Sequence, residues 1–575
     1  MTTNDAVADR LEEFADRLEA LEVEYKPRAY RRAAENVRTH PESVDALARE
    51  GTDAVGEIDR VGDAIAAKIV EFVETGAIDE LEDLRDELPA DIVALTRVEG
   101  VGPKTVGQLY DALGIETLDD LDAAAEAGEI QTVDGFGPTS EANIAAGIET
   151  ARRASERERL DRARPRAEAI REYLAVHEDS DEVSLAGSIR RWKPTVGDVD
   201  VLVASGSGAA IVEAFTDWPE ADRTIEAGDQ KAAIESGGVR IDLRVVAPGE
   251  FGAATQYFTG SRDHNVDLRQ RAIDRDWKLN EFGLFDVPGV EDDDQRAGER
   301  IAGEHEAAIY DALDLPPIEP ELREGRGEIA AAADGELPDL IDAGDLRGDL
   351  HVHTDASDGD ATIEEMARAA AERGLDYLGI ADHAAGPGIV GGVGLSDDEL
   401  RAHRDRIREL DDTVDIRLLA GVEANIAPDG TIGIDDDLLA SLDVVVASPH
   451  HDLSGPGTDR LVAAAEHPHV DVIGHPTGAY RLGREGLGLD LDRLGQVAAE
   501  HDTALEVNAN PRRLDLGGRA VRTVLEAGAQ IVVNTDAHRP SALDLVRYGV
   551  HTARRGWAEA DDVLNAQSVE TVLDA

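Results

Sequence analysis

Asp349-Leu-His351-Val-His353 sets two imidazoles two residues apart in a short apolar run, and in an extended chain that spacing puts both on one face. Five later apolar runs also end in metal-ligating side chains: Leu378-Gly-Ile-Ala-Asp-His383, Leu418-Leu-Ala-Gly-Val-Glu423, Val444-Val-Val-Ala-Ser-Pro-His450, Val472-Ile-Gly-His475 and Ile531-Val-Val-Asn-Thr-Asp536-Ala-His538. Asp358 follows the first run in a Ser-Asp-Gly turn, and Ala504-Leu-Glu-Val-Asn508 supplies one more strand before the last. Seven strand ends that point polar groups the same way predict a seven-stranded βα barrel with its site at the C-terminal face. The chain holds 16 His and no Cys, so a transition metal must be held by His, Asp and Glu. The set His351, His353, Asp358, His383, Glu423, His450, His475, Asp536 and His538 suits Mn²⁺ or Zn²⁺ as a multinuclear cluster, able to activate water and clamp a phosphate for ester hydrolysis. Surface positions are expected for His403, His467, His469, His501 and His551, while His451 is a candidate to support its neighbour.

Towards the N-terminus, Gly187-Ser188-Ile-Arg190-Arg191 precedes Gly197-Asp198-Val-Asp200-Val-Leu-Val, and Arg240-Ile-Asp242-Leu-Arg244 forms a second alternating strand. Strand alternation presents Asp198 and Asp200 together, and Asp242 shares a face with Arg240. Three convergent carboxylates suit two Mg²⁺ ions in phosphoryl transfer. The Gly187-Ser188 turn can take triphosphate oxygens on its amide and hydroxyl, with Arg191 adding charge.

Residues 1 to about 155 carry helical periodicity, for example Leu11, Phe14, Leu18 and Leu21. Three interhelical turns share one shape: Ile58-Asp-Arg-Val-Gly62, Val98-Glu-Gly100-Val-Gly102-Pro-Lys104 and Val133-Asp-Gly135-Phe-Gly137-Pro. Glycines let such a turn approach a phosphate, and the next helix offers its first amides to the anion. This helix-hairpin-helix pattern marks Gly62, Gly100, Gly102, Lys104, Gly135 and Gly137 as DNA-backbone contacts, with Arg240 a further DNA-contacting candidate. Lys68 is either a solvated helix residue or a catalytic amine.

The length of 575 residues predicts three to five domains. The boundaries expected are 1–85 and 86–155 (helical, DNA-binding), 156–250 and 251–318 (mixed α/β), a Gly-, Ala- and Asp-rich linker over 319–346, and the barrel over 347–575. No apolar run is long enough to span a membrane, and the acidic N-terminus lacks a signal core, so a cytoplasmic protein is expected. The formal charge is −65, from 57 basic and 122 acidic residues, with only six Lys among the basic ones. Such charge ordinarily argues against a nucleic-acid partner. Spread evenly and with Lys nearly eliminated, it fits instead a halophilic protein from a salt-saturated cytoplasm, where at about 1 M salt the Debye length is roughly 3 Å.

Taken together, the Gly-Ser motif, its ten-residue spacing to Asp198, the Asp242 strand and Tyr257-Phe258-Thr259-Gly260-Ser261 make residues 1 to about 318 resemble a family X DNA polymerase, the gap-filling type related to DNA polymerase beta. The resemblance implies a nucleotidyltransferase palm over 156–250 and a thumb over 251–318. It implies that Asp198 and Asp200 bind both metals and that Asp242 activates the primer 3′-hydroxyl. Ser188 and Arg191 would hold the triphosphate, Tyr257 and Phe258 would pack by the sugar beside Gly260, and Asn265 and Arg269 would lie along the nucleotide. Lys68 matches the Schiff-base lysine of the family's lyase, with Lys26 and Tyr30 at other pocket positions, although Ala64 leaves a neighbouring lysine position empty. Arg60 stands where the first hairpin would carry Gly. Residues 347–575 resemble the PHP (polymerase and histidinol phosphatase) domain, with every ligand of its trinuclear site filled. The implied protein is a monomeric repair polymerase acting with dNTPs on gapped or nicked duplex DNA. Its attached nuclease would be a Mn²⁺- or Zn²⁺-dependent 3′→5′ exonuclease, with AP-endonuclease activity a further possibility. The alternatives are a histidinol-phosphatase-type phosphoesterase with a vestigial polymerase half, and a non-catalytic DNA-end scaffold.

Overall fold

Apolar periodicity and alternation build two compact units in the computed structural model, Met1–Leu185 with Thr195–Pro248 and Ala186–Pro194 with Gly249–Ala575. The structure describes residues 4–574 apart from 24–25, 39, 41–42, 59, 97, 99, 134, 156, 288–293 and 387–393.

In the first unit, Leu11, Phe14 and Leu18 line one face of the helix Asn4–Ala20 and are buried with Tyr30 and Val37 of the helix Lys26–Arg38. A second core gathers Leu95, Val106, Leu109 and Ile144. The three turns each lead into a helix, at Asp63–Thr75, Pro103–Leu113 and Pro138–Ser155. Gly100 and Gly135 take φ of 83° and 94°, and Arg60 takes the same left-handed corner at 59°. Arginine therefore replaces glycine there without changing the turn, at a steric cost of about 1–2 kcal/mol.

The remainder of this unit is a five-stranded sheet in the order Glu182–Ala186, Val199–Ala204, Val239–Val246, Lys231–Ser236, Arg223–Ala227. Val199–Ala204 and Val239–Val246 pair in parallel, which sets Asp200 directly beside Asp242. Val199, Val201, Ile241 and Leu243 are buried, and so are Ile170 and Leu174 of the helix Leu160–Ala175.

The second unit begins with helices Phe251–Thr259 and Arg262–Ile273 and an antiparallel sheet of Trp277–Asn280, Gly283–Asp286 and Glu299–Ala302. The stretch expected as a linker is packed rather than extended: Leu322, Ala332 and Ile341 are buried, and the helix Glu328–Asp334 aims Glu328 at the buried His264, 2.9 Å away. Most of its Gly and Ala, which suggested a connector, are exposed, and it is the apolar residues between them that pack.

The barrel follows as seven parallel strands in chain order, Gly348–Val352, Tyr377–Ile380, Arg417–Asn425, Val444–Ser448, Val472–Ile473, Ala504–Asn508 and Ile531–Asn534. Leu350, Tyr377, Leu419, Val444, Val472, Ala504 and Val532 form one cluster, and residues from seven strands can meet only inside a barrel, where they make its apolar floor. Continuing in steps of two up the strands, Leu419 leads to Glu423, Ala504 to Glu506 and Asn508, and Val532 to Asn534. The first and last strands are tied largely by side chains: Asn534 Oδ1 accepts from Leu350 N at 2.9 Å, Asp349 Oδ2 accepts from Thr535 N at 3.1 Å, and Asn565 donates to Gly348 O and Val533 O, both at 2.7 Å.

Glu306 ties this unit together, accepting from Arg190 at 2.7 and 3.0 Å and from Arg323 at 2.5 Å. Burial alone would raise its carboxyl, but Arg323 and Arg190 outweigh burial and hold it at about 2 rather than 4.5. A depressed carboxyl stabilises the fold above its unfolded value and loses that contribution as pH falls towards the folded one. The expected contribution is roughly 3 kcal/mol, present at pH 5 and above and disappearing as the pH falls from about 4.5 to about 2. Acid unfolding of wild type beside Glu306→Gln checks it: the variant should be less stable at neutral pH, with the gap narrowing over that window, and a constant gap would refute the linkage.

Candidate active sites

The first site lies on the five-stranded sheet. Asp200 and Asp242 are neighbours across the parallel pair, and Asp198 immediately precedes the same strand as Asp200. Arg240 donates to Asp242 through Nε at 3.0 and 3.1 Å, and its guanidinium also feels Glu226 and Asp198. The carboxylates expected from spacing are thus brought together with one cation. In the other unit, Gly187–Arg190 forms a helical turn whose Gly187 has φ of 62°. Arg191 donates to Glu324 at 3.1 Å and to the carbonyl of Thr259. Tyr257 and Phe258 meet edge to face at 5.1 Å, and Asn265 donates to the Tyr257 carbonyl at 2.7 Å while accepting from Gln256 at 2.8 Å. Gly260 takes φ of 65°, and Arg269 is exposed on the helix Arg262–Ile273.

At the hairpins, a Cβ added at Gly62, Gly100, Gly102, Gly135 or Gly137 would meet nothing within 4 Å. Gly100 and Gly135 are explained by their left-handed φ, but Gly62, Gly102 and Gly137 have no internal reason to lack a side chain, which leaves their backbone open to an outside group. Lys104 is exposed beside Gly102. Asp59, Glu99 and Asp134 of the quoted turns lie outside the described residues. Lys68 shares a pocket with Lys26, Tyr30 and Arg60, pairs with Glu80, and stands 5.4 Å over the ring of Phe14.

At the barrel mouth the structure brings all nine expected ligands together. Ligand atoms of His353, Asp358, His383 and His538 fall within 4.8 Å of one another, as do those of His351, His353 and Glu423, and those of His383, Glu423 and His450. His475 Nε2 is 3.0 Å from Glu423 Oε1, and Asp536 Oδ1 is 3.2 Å from His353 Nε2. Burial alone would raise the Glu423 carboxyl, but His450, His383 and His351 hold it well below the usual range. Burial would lower His383, yet Glu423 and Asp358 push it up to about 10.

The chemistry of this set fits divalent cations. His351 Nε2, both ring nitrogens of His353, and His475 Nδ1 are buried without a hydrogen-bond partner. Buried polar atoms are rarely left so, and an ion accounts for the unsatisfied lone pairs. Behind the ligands stands a layer not singled out from the sequence. Glu506 Oε1 takes His351 Nδ1 at 2.7 Å and its Oε2 accepts from His475 N at 2.6 Å. Asn425 Oδ1 meets His450 Nδ1 at 2.7 Å. A polar pair at alternate positions in the apolar strand Ala504–Asn508 was the available signal for Glu506 and Asn508. For Asp382, next to His383, there was none, because it accepts from Thr354 and Ser357 in the turn after the first strand and from a helix that follows it in the chain. That helix supplies His403, which is buried and bonds Asp382 at 2.8 Å, so its expected surface placement is corrected. His551 is half-buried, stacked on Trp192 at 3.5 Å and bonded to Glu321 at 2.6 Å. His501 is exposed as expected, and His451, His467 and His469 are half-buried.

Comparison with known proteins gives four family matches: a helix-hairpin-helix domain over residues 2–78, a SAM-like helix-hairpin-helix tandem over 92–150, the DNA polymerase beta thumb over 254–324 and the PHP domain over 349–509. The DNA polymerase/3′-5′ exonuclease PolX of Bacillus subtilis is 34% identical over 555 residues, covering 95% of this chain and 94% of that one. Probable phosphatases of Caldanaerobacter subterraneus and Shewanella loihica are each 32% identical but cover only 33% of this chain, and 75% and 77% of their own. No described helix is long and apolar enough to cross a membrane.

Partners behind metal-ligating imidazoles fix ring orientation, and their loss typically costs about 10–100-fold in metal affinity. Glu506→Gln is expected to weaken Mn²⁺ binding by about that factor while leaving the fold intact. Titration calorimetry checks this, and wild-type affinity in the variant would show that Glu506 orients nothing.

Proposed function

Because the chain belongs to the PolX family of family X DNA polymerases carrying a PHP domain, we propose that it extends primer 3′ ends at Asp198, Asp200 and Asp242 and removes nucleotides 3′→5′ at the barrel mouth. It is a DNA polymerase and 3′→5′ exonuclease, it binds DNA, and it depends on divalent metal. The observation that carries the assignment of two sites is that the chain holds one neighbouring-strand carboxylate set and, at the barrel mouth, a cluster of nine ligands.

In this reading the substrates are gapped or nicked duplex DNA and dNTPs. Asp198, Asp200 and Asp242 would hold Mg²⁺, and the nine barrel residues would hold Mn²⁺ or Zn²⁺, three ions in all. Such ions supply charge for the phosphate in the transition state and make water or a hydroxyl a better nucleophile. The protein's own part is positional. Asp242 takes the proton of the primer 3′-hydroxyl on its carboxylate, and Arg240 orients that carboxylate before the primer arrives. Ser188 and Arg191 bind the triphosphate, and Tyr257 with Phe258 packs against the sugar. At the barrel, Glu506 and Asn425 hold the ligating groups His351, His475 and His450 in place, and Asp382 fixes Thr354 and Ser357 beside the ligands His353 and Asp358. The open turns at Gly62, Gly102 and Gly137 let the DNA backbone reach helix-terminal amides. The pocket that joins Lys68 with Lys26 and Tyr30 supports a secondary 5′-deoxyribose-phosphate lyase role for Lys68.

The test compares wild type, Asp198→Ala/Asp200→Ala and His351→Ala/His353→Ala on gapped and 3′-tailed DNA in concentrated KCl. Extension should fall by roughly 10³-fold or more in the first variant only, and trimming by a similar factor in the second only. Both activities surviving in both variants would sink the assignment. Hydrolysis of a small phosphate monoester with no trimming of DNA would instead favour the phosphatase reading.

A further inference from the structure

The turn carrying Ser188 and Arg191 is held from outside the polymerase elements, by the last long helix of the barrel, Val546–Arg554, and the residue after it. Arg555 donates through Nη1 to the Arg191 carbonyl at 2.5 Å. The same Nη1 lies 3.2 Å from Glu324 Oε1, which also accepts from Arg191 Nε at 3.1 Å. Lys193 Nζ donates to the other oxygen of Glu324 at 3.1 Å. One residue past Arg191, Trp192 takes φ of 52°, a conformation that a bulky side chain adopts only when its surroundings enforce it. Its indole stacks on His551 with centroids 3.5 Å apart and planes 10° apart, and meets Tyr548 edge-on at 6.1 Å. His551 is fixed in turn by Glu321, which also accepts from Arg554 at 2.8 Å.

We propose that His551 and Arg555 of the barrel are positioning residues for nucleotide binding at the polymerase site, setting the turn that presents Ser188 and Arg191. This rests on the reading that those two residues hold the incoming triphosphate. The charge arrangement gives the grip a second effect. Glu324 is shared by Arg191, Lys193 and Arg555, so Arg191 can leave it for a triphosphate while two cations still neutralise the half-buried carboxylate. Without Arg555, Glu324 competes for Arg191 more strongly, and the turn loses the bond on its carbonyl. Neither residue is among the barrel ligands, so trimming does not depend on them.

Single-nucleotide gap filling by the full chain tests this, with KM for dNTP and kcat measured separately and 3′→5′ trimming as the control. Arg555→Ala is expected to raise the KM for dNTP by about tenfold with kcat within about twofold, the pattern of lost binding rather than lost chemistry. Arg555→Lys, which keeps the charge on Glu324, should recover part of that loss, and His551→Ala should raise KM by a smaller factor. Trimming should stay at the wild-type rate in all three. An unchanged KM in Arg555→Ala, with Arg191→Ala raising it, overturns the proposal alone. An unchanged KM in Arg191→Ala overturns the reading beneath it. If Arg555→Ala also loses trimming, so that the barrel itself has failed, His551→Ala decides: a wild-type KM there overturns the proposal.

Discussion

Glu423 is 1% exposed and lies within 3.6 Å of five imidazoles, those of His351, His353, His383, His450 and His475. A carboxylate buried without compensation costs several kcal/mol, and it is tolerated only where charge and hydrogen bonding surround it. Much of the barrel follows from that one constraint. The strands must end together so that side chains from four of them reach one oxygen pair on a fifth. The imidazoles in turn need partners on their far nitrogens, which Glu506 and Asn425 provide for His351 and His450. Asp349, Asn534 and Asn565 then close the seam between first and last strands with side-chain bonds, beside the backbone bond from His353 N to Ala537 O.

The same demand shows in the backbone. His475 and Asp536 take φ of 26° and 55°, a region that non-glycine residues avoid, and both stand at strand ends where the chain turns its ligand towards the cluster. Bonds hold each in place: His475 N donates to Glu506, and Asn508 donates to Asp536 Oδ2 at 3.1 Å. Below them the apolar floor leaves no slack. A Cβ on Gly474 would stand 2.2 Å from Ser448 Oγ, and one on Gly379 would stand 2.8 Å from the Leu350 Cα. Strain at the mouth is therefore kept by close packing beneath it rather than relaxed.

What could be read from the sequence was whatever repeats at short range. Alternation in Val199–Ala204 and Val239–Val246 located both strands, and a ligand at the end of each apolar run located the barrel. What escaped depends on partners far apart in the chain. His403 looks like any polar residue on an amphipathic helix, and only the folded chain sets it against Asp382, 21 residues away. His551 and Glu321 are 230 residues apart, and no spacing rule links them. The stretch 319–346 was misread for a related reason. Most of its small residues do lie exposed, and what packs is the scattered set Leu322, Ala332 and Ile341, too sparse to form a period.

The charge of −65 bears on how such a chain meets DNA. Many of its arginines are turned to internal pairing: Arg17 and Arg85 on Glu13, Arg38 on Asp9 and Glu12, Arg190 and Arg323 on Glu306, Arg554 on Glu321. Acidic surfaces of this density repel a polyanion except where salt screens them or where neutral donors face it. The hairpin turns meet the second condition, since they offer backbone amides at glycines with open space around them. Amide contacts displace no condensed cation from the phosphate backbone, whereas each lysine or arginine contact does. DNA affinity built on such turns would therefore persist in concentrated salt, where affinity built on cationic patches fades, and under the proposed hairpin contacts this reconciles an acidic chain with a nucleic-acid substrate.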